Sequence, residues 1–280
     1  MTRPQTIQIF LPDGNPRSVR IAELTNRVVK AVLVPRNKMD YIASREELSN
    51  VGIYFLFGTS EEKARPLVYI GEAEDCLDRL RSHNRNKEFW SHAVVMISKI
   101  NAFTKSHVKY LESVAVEKAK QVNRFDTENA NIPTRSFVTE SMEADLLDSF
   151  ETMGVLLSTL GYPIFDDLAK STVSKKEILY LKSTESSAEG DLVDDGFVVF
   201  KGARIRVKET GSFHKYMRDL RARMVEEGIM IQNGEHYILQ EDHLFGSPST
   251  AAAVVLGRNT NGWMKWKDKD GKTLDELKRQ

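Results

Sequence analysis

Hydrophobic and polar positions fall into alternating and helical stretches whose order predicts an α/β (α+β) protein. Residues 6–10 alternate and stop at a turn cluster, Leu11-Pro12-Asp13-Gly14-Asn15-Pro16. Residues 28–34 read as a second strand, ended by Pro35, and 40–49 as a helix. Residues 51–57 (Val-Gly-Ile-Tyr-Phe-Leu-Phe) and 67–71 (Leu-Val-Tyr-Ile-Gly) are rich in β-branched and aromatic residues. The connector from Gly58 to Pro66 is polar, so the pair predicts an antiparallel hairpin. A helix over about 73–84 carries a buried stripe of Ala73, Leu77 and Leu80. Residues 93–98 are a further strand. Residues 105–122 are a strong helix with Val108, Leu111, Ala115, Ala119 and Val122 on one face. Residues 50–125 therefore read β-β-α-β-α.

Downstream, residues 142–181 read as mostly helical and acidic, and 183–195 as a linker or loop. Residues 196–207 predict a strand hairpin around Gly202, 214–226 a basic helix, and 229–239 a hairpin turning at Asn233-Gly234. Ser-Pro-Ser-Thr at 247–250 is a helix-start signal for 248–256. The resulting division is a β-rich extension (1–49), a small mixed-sheet α/β module (50–132), an acidic helical connector (133–190) and a small C-terminal α+β domain (191–280).

The 280 residues carry 40 basic and 40 acidic side chains, a formal charge of zero. Taken whole, that argues against nucleic acid as a partner. By region the net charge is +3 for 1–50, +1 for 51–130, −8 for 131–200 and +4 for 201–280. Neutrality is an average over unlike parts. The lone cysteine, Cys76, rules out an internal disulfide and cysteine-rich metal sites, which fits a reducing compartment. No apolar run approaches the ~20 residues of a membrane span, and residues 1–20 lack a signal-peptide core. A soluble cytoplasmic protein is expected.

Several side chains stand out. Glu112 falls inside the apolar arc of the 105–122 helix, where a carboxylate is costly unless it is paired or holds a metal. Taken alone, it reads more simply as an edge carboxylate that reaches water or an arginine. Arg79 and His83 sit four apart and share a helix face, able to meet one phosphate or to form a solvated basic edge with Arg81, Arg85 and Lys87. Tyr54 and Tyr69 lie on the paired strands, where tyrosines are usually core residues.

Their order is more informative than any one of them. Gly52-Ile53-Tyr54, then Tyr69-Ile70-Gly71, then Arg79, His83 and helical Glu112, resembles the GIY-YIG nuclease family over about residues 50–132. The resemblance implies a phosphodiesterase that uses Mg²⁺ or Mn²⁺, in a prokaryotic cytosol or nucleoid. Tyr54 would orient or help deprotonate the attacking water, and Tyr69 would hold that water or the scissile phosphate. Arg79 would stabilise developing charge, and His83 would assist proton transfer or touch phosphate. Glu112 would be the metal ligand. Asn129 and Asn131 both qualify for the family's asparagine. Mg²⁺ keeps most of its waters, so one carboxylate and a substrate phosphate can suffice. A tyrosine with an ordinary pKa of ~10 is a poor base, so Tyr54 must either be stabilised as phenolate or only relay a proton.

Residues 190–280 resemble an uncharacterised domain that often follows this nuclease module. They are also similar to a small domain associated with restriction enzymes and adenine methylases. That implies a substrate-targeting role. Eight basic residues between Lys201 and Arg223, including Arg204, Arg206, Lys215, Arg218 and Arg221, suit a phosphate-contacting face. Trp263 and Trp266 flank Lys265, a pairing suited to base stacking, although at least one of the two indoles is expected in the core. DNA is the expected partner, contacted also by Arg81, Arg85 and Lys87, with RNA left open. No membrane partner is expected, and a palindromic cut would call for a homodimer. The alternative is a non-catalytic DNA-binding or regulatory protein on a retired nuclease fold. A further rival is a partner-binding scaffold built on the acidic middle.

Overall fold

The computed structural model describes residues 4–168 and 178–279. The chain forms two compact units, Met1–Glu61 with Arg65–Asp166, and Glu62–Ala64 with Asp167–Gln280. The fold is mixed α/β, with two multistranded sheets and seven helices among the described residues.

In the first unit the strands are β1 (Ile7–Phe10), β2 (Arg20–Leu24), β3 (Val29–Pro35), β4 (Gly52–Gly58) and β5 (Leu67–Ala73). Helix α1 (Cys76–Asn86), strand β6 (Trp90–Ser98), helix α2 (Lys105–Val122), the short β7 (Asp126–Thr127) and helix α3 (Glu140–Thr159) follow. The sheet order is β1-β2-β3-β6-β4-β5-β7, antiparallel except for the β5–β7 pair. Strands β1, β2 and β3 thus extend the same sheet beyond β6. Strand β4 is buried on both faces, which is why its sequence is an unbroken apolar run rather than an alternation. Ile53, Phe55 and Phe57 share one core with residues of α2 and α3, including Leu111 and Met153. Tyr54 and Leu56 point into a second core with Leu77 and Leu80 of α1.

Several sequence expectations need correction. Residues 40–49 form two short 3-10 turns, Tyr41–Ser44 and Glu46–Ser49, because the backbone of Arg45 is extended between them. Ala73 ends β5 instead of starting a helix; α1 begins at Cys76 after the Asp75 side chain accepts the Asp78 amide (2.9 Å). Helical structure stops at Thr159, with Gly161 in a positive-φ conformation and Pro163 following, so the 142–181 helix is cut short. Residues 169–177 of that stretch lie outside the described residues.

The second unit contains β8 (Leu179–Lys182), β9 (Ser187–Val193), β10 (Gly196–Val199), β11 (Arg204–Arg206) and α4 (Lys215–Glu226). It continues with β12 (Met230–Asn233), β13 (His236–Leu239), β14 (His243–Phe245), α5 (Pro248–Leu256), α6 (Gly262–Lys265) and α7 (Leu274–Lys278). The stretch read as a linker, 183–195, contains the strand to which β8, β10 and β11 all pair. The expected 196–207 hairpin is absent. Strands β10 and β11 both run antiparallel to β9, joined by a bend at 200–203 with Gly202 at φ +88. The true hairpin is β9–β10. Helix α5 is buried from Ala251 to Leu256, its alanines allowing close approach to the sheet.

Candidate active site

The register of β4 and β5 builds the centre of the site. Tyr54 pairs with Gly71 and Leu56 with Tyr69, so the two tyrosines share a sheet face on a diagonal. Their ring centroids are 6.2 Å apart. A Cβ on Gly71 would fall against the Tyr54 hydroxyl, so the glycine of Tyr69-Ile70-Gly71 is the space into which the Tyr54 phenol lies. Gly52 likewise lets β4 approach β6 and Cys76 closely.

Helix α1 crosses this face and presents Arg79 and His83 one turn apart. Its C-terminal end is fixed by Arg36, which donates to the Asn84 side chain (3.0 Å) and to the carbonyls of Asn84 (2.9 Å) and Glu88 (2.8 Å). His83 is 6% exposed, and its Nε2 lies 2.8 Å from the Tyr54 hydroxyl. Arg79 Nε donates to the same hydroxyl at 3.2 Å. The Tyr54 oxygen accepts from Arg79, and with the neutral imidazole in its Nδ1–H tautomer the hydroxyl proton is directed at His83 Nε2. Burial, reinforced by the charges of Arg79 and Lys87, holds the His83 pKa down at about 4, so the imidazole is neutral at pH 7. Burial also pushes the Tyr54 phenol well above its ordinary range, although Arg79 pulls the other way. A standing phenolate is disfavoured. The arrangement suits a hydroxyl that passes a proton to a neutral imidazole.

Tyr69 completes the cluster. Its ring sits 5.4 Å from the His83 ring, and the Lys87 ammonium lies over it at 4.3 Å. Lys87, expected with Arg81 and Arg85 to contact DNA, is thereby half-buried against the tyrosine, while Arg81 and Arg85 are exposed.

Glu112 lies on the other face of the sheet, on α2, half-buried as its helical phase implied. Burial, and then the charge of Glu72, raise its carboxyl to about 7. Glu72 was not singled out from the sequence. It follows Gly71 directly, points to the α2 side, and is held by Lys105 at 2.8 Å. Its charge raises Glu112, after burial, and makes only the smallest contribution at Arg79, whose pKa is raised chiefly by the Tyr54 hydrogen bond. The signal for it was its alternation with the buried Ile70, a carboxylate on an inward phase of β5.

The two asparagine candidates separate. Asn129 is buried, accepts the Ile70 amide (3.0 Å) and donates to the Ile70 carbonyl (2.7 Å). Asn131 is exposed. Of the two, Asn129 is the one that grips β5 beside Tyr69.

Among the described residues, no group of three or more His, Cys, Asp or Glu could hold a metal. The residues nonetheless fit a hydrated divalent cation. Glu112 and Glu72 are two crowded carboxylates, one with a raised pKa, and Mg²⁺ needs only one or two carboxylates plus phosphate and water.

In the second unit the basic residues split. Arg204, Lys215, Arg218 and Lys265 are exposed. Arg206 is ion-paired to Glu185 (2.7 Å), and Arg218 also donates to the carbonyls of Thr210 (3.0 Å) and Gly211 (2.9 Å). Arg221 is a correction. It is 3% exposed, donates to the carbonyls of Val254 (3.2 Å) and Arg206, and pairs with Glu209 (3.3 Å). It binds its own chain and is not available to phosphate. Trp266 is fully buried, its Nε1 donating to the Pro248 carbonyl (3.0 Å). Trp263 is half-buried beneath the Arg279 guanidinium, 3.6 Å from the ring.

The chain is thus an α/β protein whose first unit gathers two tyrosines, an arginine and a histidine on one sheet face. Residues 179–278, the bulk of the second unit, match the model of a domain of unknown function, DUF4357. No curated protein and no solved structure matches the chain. No helix among the described residues is long and apolar enough to cross a membrane.

Proposed function

We propose that the first unit is a GIY-YIG-type, metal-dependent endonuclease that hydrolyses phosphodiester bonds in DNA, and that the second unit holds the substrate. The observation that carries this reading is the Tyr54 hydroxyl set between Arg79 Nε and His83 Nε2. It is a buried, polarised hydroxyl with a neutral proton acceptor behind it and a fixed cation beside it.

In this mechanism Tyr54 accepts a proton from the attacking water as its own passes to His83. Arg79, exposed apart from its Nε contact, turns its remaining guanidinium donors to the phosphate, a geometry suited to a bidentate anion. Tyr69 and Lys87 border the same cluster and position the scissile group. Glu112, with Glu72 beside it, would hold Mg²⁺ or Mn²⁺ on the α2 side of β5, where the charge of Glu72 is felt at Arg79, and the ion when bound would supply charge neutralisation at the phosphate and a more acidic water. In the second unit the exposed Arg204, Lys215 and Lys265 supply the phosphate contacts, while Arg218 is held by Glu209 (3.4 Å) and by the Thr210 and Gly211 carbonyls.

The test is a nicking assay of the purified full chain on plasmid DNA with Mg²⁺. Wild type is expected to cut, and Tyr54→Phe and Glu112→Ala to lose activity. Glu112→Ala nicking as fast as wild type would remove the metal role assigned to that residue. A chain that binds DNA but never cuts would instead support the non-catalytic reading.

A further inference from the structure

We infer that a cleft beside β9 in the second unit is a binding site for a single nucleotide unit, either one residue of a single strand or a free mononucleotide. The cleft is distinct from the tyrosine cluster, encloses about 400 Å³, and is lined by residues of β8, β9 and the 200–203 bend. That volume suits a ligand of nucleotide size.

The register explains the lining. Tyr180 of β8 pairs with Glu189 of β9, and the Phe200 amide donates to the Glu189 carbonyl at 2.9 Å. Tyr180, Glu189 and Phe200 therefore stand in one row across adjacent strands, an aromatic ring on either side of a carboxylate. Both rings are half-buried, so each keeps part of its surface open to the cleft. Lys182, whose ammonium lies 5.8 Å from the Tyr180 ring, and Lys201, at the bend, bring positive charge to the same space. The Lys201 amide is tied to Asp242 (2.8 Å), which fixes the bend.

Each element has a complementary part in a nucleotide. Aromatic rings on the solvent face of a sheet offer stacking to a flat base. Two lysines suit a phosphate. A carboxylate between the rings accepts hydrogen bonds from an exocyclic amino group, as Glu does from cytosine N4. The ligand class is therefore an amino-bearing base with its phosphate, and a thymine should be disfavoured. A base paired in a duplex has its stacking face and amino edge already used, so duplex DNA should not enter.

The experiment uses the full chain in EDTA, so binding is read whether or not the first unit cleaves. Labelled dCMP is titrated, and unlabelled oligo(dC), dTMP and duplex DNA are tested as competitors for it, so that duplex held on Arg204, Lys215 and Lys265 does not register. The dCMP should bind and oligo(dC) should displace it, dTMP should compete poorly, and duplex should not compete. Oligo(dC) binding far tighter than dCMP assigns the site to strands, and equal affinity assigns it to free nucleotides. Phe200→Ala should weaken binding about tenfold or more, the size of one lost stacking contact. Lys182→Ala with Lys201→Ala should flatten the salt dependence, and Glu189→Gln should narrow the gap between dCMP and dTMP. These last variants change exposed side chains and remain informative if Phe200→Ala does not fold. No binding, free competition by duplex, or wild-type binding by the lysine and Glu189 variants would overturn the inference.

Discussion

The Tyr54 hydroxyl lies 2.8 Å from Nε2 of His83, and this bond sets the direction in which a proton can leave the site. With Arg79 donating from the other side, the neutral imidazole is placed to accept. Tyr54→Phe should abolish the relay while leaving the ring in place. A loss of about 10²- to 10⁴-fold in single-turnover nicking, with DNA affinity kept, is expected. His83→Ala should fall in the same range, and the double variant should lose little more than either alone.

His83 also has a pH signature. Its pKa in the fold is about 4, against about 6.5 in an unfolded chain. Between those values the unfolded chain takes up a proton that the fold refuses. The contribution of His83 to stability is therefore present above about pH 6.5 and lost as pH falls toward 4. An NMR titration of the imidazole should show a midpoint near 4, and a midpoint near 6.5 would remove the neutral acceptor from the mechanism.

Glu112 titrates with the opposite sign. Its carboxyl is raised to about 7, so the fold holds a proton that the unfolded chain has released above about pH 4.5. In metal-free protein its contribution is present below about pH 4.5 and lost as pH rises to 7. Glu112→Gln should therefore raise the melting temperature at pH 8 by about 2–4 °C, the shift for ~1 kcal/mol in a unit of this size. It should change little at pH 5. Millimolar Mg²⁺ should raise the wild-type melting temperature at pH 8 and not that of the variant.

Gly71→Ala tests the space across β5. The added methyl meets the Tyr54 phenol, so the phenol must move away from His83 and Arg79. A destabilisation of about 1–3 kcal/mol by denaturant melts is expected, together with a loss of nicking close to that of Tyr54→Phe. Full activity in a well-folded Gly71→Ala protein would show that the hydroxyl's position is not needed.

The basic residues of the second unit should divide on mutation. Arg221→Ala removes the donor to buried carbonyls of α5 and β11, so it should destabilise that unit by about 1–3 kcal/mol. Lys215→Ala should leave the melting curve unchanged, weaken DNA binding and lower the salt slope by about one. Cys76, buried with its thiol pushed up to about 12, should resist alkylating reagents until the first unit is unfolded.

The strands and helices around the site were legible because each buries a periodic face. The 105–122 helix and the 248–256 helix coincide with their expected limits, and each has a side-chain cap, Thr104 and Ser247. Strand β9 was not legible. Its Ser, Glu, Gly and Asp look like a loop, and it is a strand because three neighbours take its backbone hydrogen bonds, which composition does not record. Strand β2, Arg20–Leu24, was overlooked because it is short and carries charge at both edges of its apolar pair. Arg221 looked like its neighbours in a basic run. Only the three-dimensional position of the Val254 and Arg206 carbonyls distinguishes it.

One carboxamide has a reach beyond its size. Strand β7 accompanies β5 for only two residues, and Asn129 then takes both the donor and the acceptor of Ile70. At that point a side chain finishes a ladder that the backbone abandons. The border of the sheet next to Tyr69 is thereby closed to a visiting strand, while the half-buried tyrosine, under Lys87, keeps part of its surface exposed. An edge that would invite another polypeptide is reserved for whatever approaches the ring.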